Sequence, residues 1–151
     1  MFQEAGDEVL MLGLASRDEE PEGSRTLLVY DAPLPVLRFP LFEGDAWSAS
    51  TSFRDALLAG IRNSGEETYD FEADATGTVL LPGWELQNAL RLRVDVTQTF
   101  ALAVGENTRS FMEVMLVREC AGELARAVGL PGETDLGSLR ASEFRRLDTG
   151  G

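Results

Sequence analysis

The clearest alternation of apolar and polar residues in the chain covers residues 90–97. Its apolar positions are Leu90, Leu92, Val94 and Val96, and its polar positions are Arg91, Arg93, Asp95 and Thr97. Successive side chains of a β-strand point to opposite faces of the sheet, so each of these sets shares one face. A period of two over this length predicts a long, half-buried strand of an antiparallel sheet.

A second run, at residues 111–117, is apolar on both phases of this period and follows a predicted turn at residues 104–107. Together the two runs predict a long β-hairpin. A strand that is apolar on both faces needs cover on both. A second layer of protein is the simpler cover, and a bound apolar ligand is the alternative. The candidate ligand or core face consists of Phe111, Met112, Val114, Met115, Leu116, Val117 and Trp84.

Shorter apolar or alternating stretches predict further strands at residues 8–15, 26–30, 68–76, 77–84 and 122–128, and one strand that begins at Trp47. Between residues 31 and 47, three closely spaced prolines exclude a helix and a central strand. We therefore expect an extended segment there that crosses a sheet edge or passes between sheets. Residues 53–63 and 134–147 fit either a helix or a strand, and both alternatives stay open.

These elements predict a mainly β fold. We expect one antiparallel, strongly curved sheet or half-barrel of about seven to nine strands, with at most one or two short helices. A chain of 151 residues has the size of one domain. We therefore expect a single domain over residues 1–151, in which residues 148–151 form a frayed tail.

The chain carries a net charge of −13 and contains neither histidine nor lysine. An acidic surface repels phosphate backbones, so we expect no nucleic-acid partner. Without these two residue types there is no Ser-His or Cys-His pair, no imidazole metal ligand, no Schiff base and no P-loop lysine. We therefore expect a protein that is not an enzyme and that has no catalytic residues, no metal and no cofactor.

One face of the strand predicted at residues 68–76 carries three acids, Asp70, Glu72 and Asp74. Their spacing is similar to the start of a calcium-binding loop. The sixth position of that loop should be Gly and is Ala75, and the twelfth should be Glu and is Leu81. We expect instead that Arg91 and Arg93 pair with these acids across neighbouring strands.

Two features near the end of the apolar run bear on catalysis. The only cysteine, Cys120, lies in an apolar stretch and is expected to be a small, buried core residue. Glu113 and Glu119 are candidates for a carboxylate-based hydrolase, because a glycosidase needs only two carboxyl groups, one of them in an apolar setting. A solvent-facing or arginine-paired Glu113 is the simpler expectation.

Two phrases carry a resemblance to a known group of proteins. Residues 39–47 read FPLFEGDAW, similar to FPLxxGDxW, and residues 77–84 read GTVLLPGW, similar to GTVxxPGxW. In these phrases and the strands after them, about half of the chain, the sequence resembles a loosely defined family of exported bacterial proteins, many of them lipoproteins. The resemblance implies a curved sheet or half-barrel similar to periplasmic lipoprotein carriers, and it brings no catalytic residues.

The resemblance also implies an extracytoplasmic location, in the periplasm or at the outer membrane, with the cytoplasm as the alternative. The sequence shows neither a signal peptide nor a lipid-attachment cysteine at its N-terminus, so membrane anchoring and oligomeric state stay open. We expect a non-enzymatic β-domain that binds a lipid, another apolar ligand or an envelope protein partner. The alternatives are the carboxylate-based hydrolase and a purely structural or assembly domain.

Overall fold

The computed structural model describes residues 1–18, 24–81, 83–101, 105–135 and 140–147, and every regular element in these ranges is a β-strand. The strands are β1 (Phe2–Ala5), β2 (Glu8–Ala15), β3 (Leu27–Arg38), β4 (Ala46–Leu58), β5 (Ile61–Leu81), β6 (Trp84–Ala101), β7 (Glu106–Arg118), β8 (Gly122–Gly129) and β9 (Ala141–Arg146). They lie in one sheet in chain order, so each strand pairs with its sequence neighbours. The prediction of a mainly β fold with one antiparallel sheet is confirmed.

Burial follows a period of two in β5 and β6, the two longest strands. In β6, Leu92, Val94 and Val96 are each at most 1% exposed, whereas the residues between them are half-buried. In β5, Tyr69 and Phe71 are buried in the same way, and the acids Asp70 and Glu72 are exposed. Both alternating stretches are therefore strands with one face turned inward, as the sequence predicts.

The proline-rich segment departs from its prediction. Pro33 and Pro35 lie inside β3, which has β2 on one side and β4 on the other. The register between β2 and β3 shifts here and leaves residues 30–33 of β3 opposite Leu12 alone. A bulge takes backbone N–H groups out of the ladder, so a proline fits an interior strand at such a point.

The two ambiguous segments contain no helix in their described parts. Strand β4 ends at Leu58, Ala59 and Gly60 form a turn with φ of 47° and 81°, and β5 begins at Ile61. Residues 141–146 form β9, whereas residues 136–139 lie outside the described residues.

Most of the other predicted strand positions are confirmed. Residues 8–15 form β2, residues 122–128 fall within β8, and Trp47 lies at the start of β4. Residues 77–84 are not a separate strand, because the first part continues β5 as far as Leu81 and Trp84 already belongs to β6. Gly83 lies in the turn with a φ of 77°. Of the turn predicted at residues 104–107, residue 104 lies outside the described residues and β7 already begins at Glu106.

The chain divides into two compact units. Unit 1 consists of Met1–Phe39, Ala49–Thr68 and Thr97–Arg109. Within it, Phe53 is 1% exposed and meets Phe100 edge to face, with ring centroids 6.1 Å apart. Gly65 permits this packing, since a Cβ there would lie 2.3 Å from the carbonyl oxygen of Thr99 and 3.0 Å from the Phe53 ring.

Unit 2 consists of Pro40–Ser48, Tyr69–Val96 and Ser110–Gly151. Within it, the rings of Trp47 and Phe71 stack at a centroid distance of 4.6 Å. Leu86, Ala89 and Leu124 form a buried apolar cluster. Each unit thus has an apolar core of its own, in which the driving force is the removal of apolar surface from water.

Candidate functional site

The apolar face predicted in β7 lies in unit 2. Met112, Met115 and Val117 are each at most 2% exposed, so they are core residues. Phe111, Val114 and Leu116 are half-buried in the same strand, and Trp84 is 51% exposed at the start of β6. The described structure therefore distributes these seven residues over the core, its margin and the surface.

A shallow cleft of about 320 Å³ lies in unit 2 and touches this face at Leu116. Its wall is formed by residues 75–80 of β5 together with Ala89 and Arg91 of β6. Nε and Nη2 of Arg91 donate hydrogen bonds to Oδ1 and Oδ2 of Asp74, at 2.7 Å and 3.1 Å. The cation of this cleft is therefore already matched by a carboxylate.

Unit 1 contains a glutamate that lies almost fully inside the protein. Glu67, in β5, is only 2% exposed. Its Oε2 accepts a short hydrogen bond from the hydroxyl of Tyr30, and its Oε1 accepts one from Nε2 of Gln98 at 2.7 Å. A buried carboxylate is tolerated when its oxygens are hydrogen-bonded in this way.

Gln98 connects Glu67 in the interior to Arg109 at the surface through two hydrogen bonds. Its Nε2 donates to Glu67, and its Oε1 accepts a hydrogen bond of 2.6 Å from Nε of Arg109. A guanidinium can only donate, so the amide has one orientation that satisfies both neighbours. The series Tyr30, Glu67, Gln98 and Arg109, named here the relay, therefore has a fixed direction.

Arg109 is the exposed end of the relay. Its guanidinium carbon lies 5.0 Å from the centroid of the Phe100 ring, within cation–π range. Its Nη1 and Nη2 make no hydrogen bond and no ion pair with any residue that the structure describes. One edge of the guanidinium is thus held by Gln98 and one face by Phe100, which leaves the outer edge open.

Arg109 also lines a shallow, open cleft of about 350 Å³, named here the Arg109 cleft. The cleft is lined by Leu58, Asn63, Phe100, Asn107 and Arg109. It combines one cation, two side-chain amides and two apolar walls. A volume of this size lies at the lower end of the range for small-molecule sites.

Sequence reasoning missed the relay, although a signal for it exists. Glu67 lies two residues before Tyr69, on the phase of β5 that points inward, and Gln98 lies two residues after Val96 on the inward phase of β6. A polar residue that continues an inward-facing apolar series needs an internal partner. Extending each series by one step would have identified both residues.

The hydrolase candidates are placed differently from one another. Glu113 is nearly buried and faces Arg126, with Oε2 3.2 Å from Nη1. Nη2 of Arg126 also lies 2.6 Å from Oε2 of Glu123. Glu119 lies exposed in the turn after β7, so the structure does not bring it to Glu113 inside the protein. The expectation of an arginine-paired Glu113 is confirmed.

These contacts shift the pKa of both partners of the pair. Burial raises the pKa of Glu113, and the positive charge of Arg126 only partly opposes this effect. Desolvation acts to lower the pKa of Arg126, but the charge of Glu113 and the hydrogen bond to Glu123 outweigh it and raise the pKa. The carboxyl group of Glu113 therefore takes up a proton more readily than an ordinary glutamate.

Two further expectations have definite outcomes. Cys120 is exposed in the turn between β7 and β8, so its assignment to the core is wrong. Arg91 pairs with Asp74 across two strands, as predicted, whereas Arg93 contacts Asp95 of its own strand at 3.0 Å. Strand β7 ends at Arg118, one residue after the apolar run at residues 111–117, so Cys120 lies outside both.

Among the residues that the structure describes, no group of three or more acids or cysteines is arranged to hold a metal ion. In the same residues, no helix has the length and hydropathy that crossing a membrane requires. A comparison of the chain with protein-family models, with curated proteins and with solved structures gives no match.

Proposed function

We propose that the protein is a non-enzymatic binding domain that holds a small, partly apolar ligand in the Arg109 cleft. The observation that carries this proposal is the relay. An acid that is 2% exposed is unusual, and apolar residues at such a place commonly give equal or greater stability. A buried network that fixes an exposed guanidinium beside a cleft is what a pre-organised binding site requires.

The lining of the cleft favours binding over catalysis. None of the five described residues that line it carries a carboxylate, a thiol or a hydroxyl group. Asn side chains donate and accept hydrogen bonds and Arg side chains donate them, but both rarely transfer protons at neutral pH. Leu58 and Phe100 supply the apolar contact that a lipid fragment or another partly apolar ligand needs.

The location and the natural partner are part of the same proposal. The resemblance to exported bacterial proteins supports a periplasmic or outer-membrane location and an envelope lipid or protein as partner. Fractionation of the source cells, with an antibody against the chain, tests the location. Recovery of the protein with cytoplasmic markers alone would contradict it.

Side-chain amide NMR tests the binding function directly. The chain has three Asn and three Gln residues, so a ¹H–¹⁵N spectrum contains only six side-chain amide pairs. We expect a probe set of benzoate, benzamide, hexanoate and hexanol to shift the signals of Asn63 and Asn107, with Asn88 as the internal control. If none of the probes shifts these signals at about 10 mM, the proposal is overturned, because the affinity of the cleft for each probe is then negligible.

One observation favours the hydrolase alternative. Burial raises the pKa of Glu113, as the general acid of a glycosidase requires. Its carboxylate is, however, bound to Arg126, which also holds Glu123. Turnover of chromogenic glycosides that is abolished by Glu113→Gln and retained by Glu119→Gln would support this alternative, and no turnover would remove it.

A further inference from the structure

We infer that the ligand of the Arg109 cleft is a carboxylate, bound by the outer edge of the Arg109 guanidinium, with an apolar or aromatic body against Phe100 and Leu58. This inference rests on the proposed binding function and names its ligand class. The two amides of the cleft, Asn63 and Asn107, are then available to polar groups of the same ligand.

The charge of Arg109 is the first argument. In the described residues, seven arginines form ion pairs with Asp or Glu, namely Arg38, Arg54, Arg91, Arg93, Arg126, Arg140 and Arg145. Six others make no such pair within the described residues, namely Arg17, Arg25, Arg62, Arg109, Arg118 and Arg146. Of these, Arg109 contacts a neutral amide oxygen and an aromatic ring and also lines a cleft. Its positive charge is thus not matched by a contacting carboxylate, although the chain carries an excess of acids.

The geometry of the guanidinium is the second argument. Nε is engaged by Gln98, and one face lies over Phe100, which restricts rotation of the group. Nη1 and Nη2 remain, and two parallel N–H groups match the two oxygens of a carboxylate. A guanidinium that is fixed before the ligand arrives loses little freedom on binding.

The net charge of the chain favours a carboxylate over a phosphate ester. A total of −13 repels every anion, and it repels a dianion about twice as strongly as a monoanion. A single guanidinium offsets one negative charge. A monoanion with an apolar body therefore fits the cleft better than a phosphorylated ligand.

Gln98 is a positioning residue in this arrangement. Its amide donates a hydrogen bond to Glu67 and accepts one from Arg109. The side chain of Gln98 thereby separates the carboxylate of Glu67 from the guanidinium. A carboxylate at position 98 would occupy the same place and match the charge of Arg109 directly. The identity of residue 98 thus controls whether the relay stabilises the arginine or neutralises it.

The first test compares three probes that share one ring. Benzoate, benzamide and phenyl phosphate are titrated into the whole chain while the side-chain amide signals of Asn63 and Asn107 are followed. We expect benzoate to bind about tenfold more tightly than benzamide, as a charge-assisted hydrogen bond implies, and more tightly than phenyl phosphate. Equal binding of benzamide, or tighter binding of phenyl phosphate, would overturn the carboxylate assignment and leave the binding function intact. Absence of any shift would overturn both.

The second test uses variants. Arg109→Gln should weaken benzoate about 10-fold to 100-fold and change benzamide little, whereas Arg17→Gln, at an exposed arginine of the same unit, should change neither. The double variant E67Q/Q98E is the sharper probe. It reverses the positions of carboxylate and amide, so every hydrogen bond of the relay keeps a donor and an acceptor.

The double variant should fold, as shown by unchanged backbone amide signals in unit 2 and a cooperative unfolding transition. It should lose benzoate binding about tenfold, because the new carboxylate contacts Arg109. Wild-type affinity in a folded double variant would overturn the role assigned to Gln98. If the double variant does not fold, Arg109→Gln decides the ligand class alone, and unchanged benzoate binding there would overturn it.

Discussion

Each unit of the protein contains a glutamate that is largely removed from water, and the two glutamates are stabilised in different ways. Glu67 in unit 1 accepts hydrogen bonds from Tyr30 and Gln98, which are neutral donors. Glu113 in unit 2 faces the guanidinium of Arg126 directly, and that guanidinium also binds Glu123. The first is held by dipoles and the second by an ion pair.

This difference determines which arginine can act on another molecule. Arg126 is enclosed by two carboxylates, so an incoming anion would have to displace one of them. Arg109 is reached only through an amide, and its outer edge makes no hydrogen bond or ion pair to the described residues. A neutral amide can therefore hold a guanidinium in place without neutralising its positive charge.

The largest effect is expected on removing the cation of unit 2. Arg126→Met leaves Glu113 nearly buried without its partner, and it should lower the free energy of unfolding by about 3 kcal/mol at pH 8. Urea unfolding measures this. Arg54→Met is the matched control, since Arg54 is 82% exposed beside Asp31 and its loss should change stability by under about 0.5 kcal/mol. Equal losses in the two variants would contradict the importance assigned to burial.

A smaller loss is expected on neutralising the acid of unit 1. Glu67→Gln alone introduces an N–H group, which the hydroxyl of Tyr30 can accept only by giving up its own donation to residue 67. An unmatched buried polar group costs about 2 kcal/mol, which urea unfolding at pH 7 would detect. Glu66→Gln, at the exposed neighbouring position, should have little effect. A fully stable Glu67→Gln variant would show that the direction of the relay is not fixed.

The acid of unit 2 should make stability depend on pH. The pKa of Glu113 is raised in the folded state, so protonation of this group stabilises the folded state. This stabilisation is fully present below the unfolded-state pKa and is lost as pH rises through the folded-state pKa. Stability should therefore fall across this window by about 1.4 kcal/mol for each unit by which the pKa is raised.

Glu113→Gln should remove this slope, so the variant gains relative to the wild type as pH rises. Thermal unfolding between about pH 4 and pH 8 measures the difference. Glu119→Gln, at an exposed position in the same hairpin, should keep the wild-type slope. A wild-type slope in Glu113→Gln would assign the pH dependence to other groups.

The smallest effect is expected at the partly exposed pair of unit 2. Arg91 is 41% exposed and Asp74 is 17% exposed. Asp74→Asn should therefore cost about 0.5 kcal/mol at low ionic strength, and less in 1 M salt, where charges are screened. Asp70→Asn on the same strand face is the control and should show no salt-dependent loss. An equal response of the two variants would contradict a specific role for the Arg91–Asp74 contact.

The sheet could be predicted because a period of two is a local property of the chain. Residues 90–97 reveal their buried face without any knowledge of their neighbours. The Arg109 cleft could not be predicted in this way, since Leu58, Phe100 and Arg109 meet only through the register of the four consecutive strands β4 to β7. Periodicity indicates which residues of a strand share a face, whereas register determines which residues of neighbouring strands lie beside them.

Two of the corrected predictions concern Cys120 and the prolines of β3. Arg118 and Glu119 interrupt the apolar run before Cys120, and the chain turns at Cys120 with a φ of 67°, so assigning it to the core extends the run too far. The prolines of β3 lie inside the sheet because the register shift that accommodates them depends on β2. That shift is decided by pairing between strands, which a single strand does not encode.

The exposed thiol of Cys120 is the only one in the chain, so it is a unique attachment point for a probe. It lies in the turn between β7 and β8, the two strands that carry Glu113 and Arg126. A ¹⁹F tag on this sulfur would report the opening of that hairpin without any engineered cysteine. The same label would leave the Arg109 cleft chemically unmodified, so hairpin opening and ligand binding could be followed in one sample.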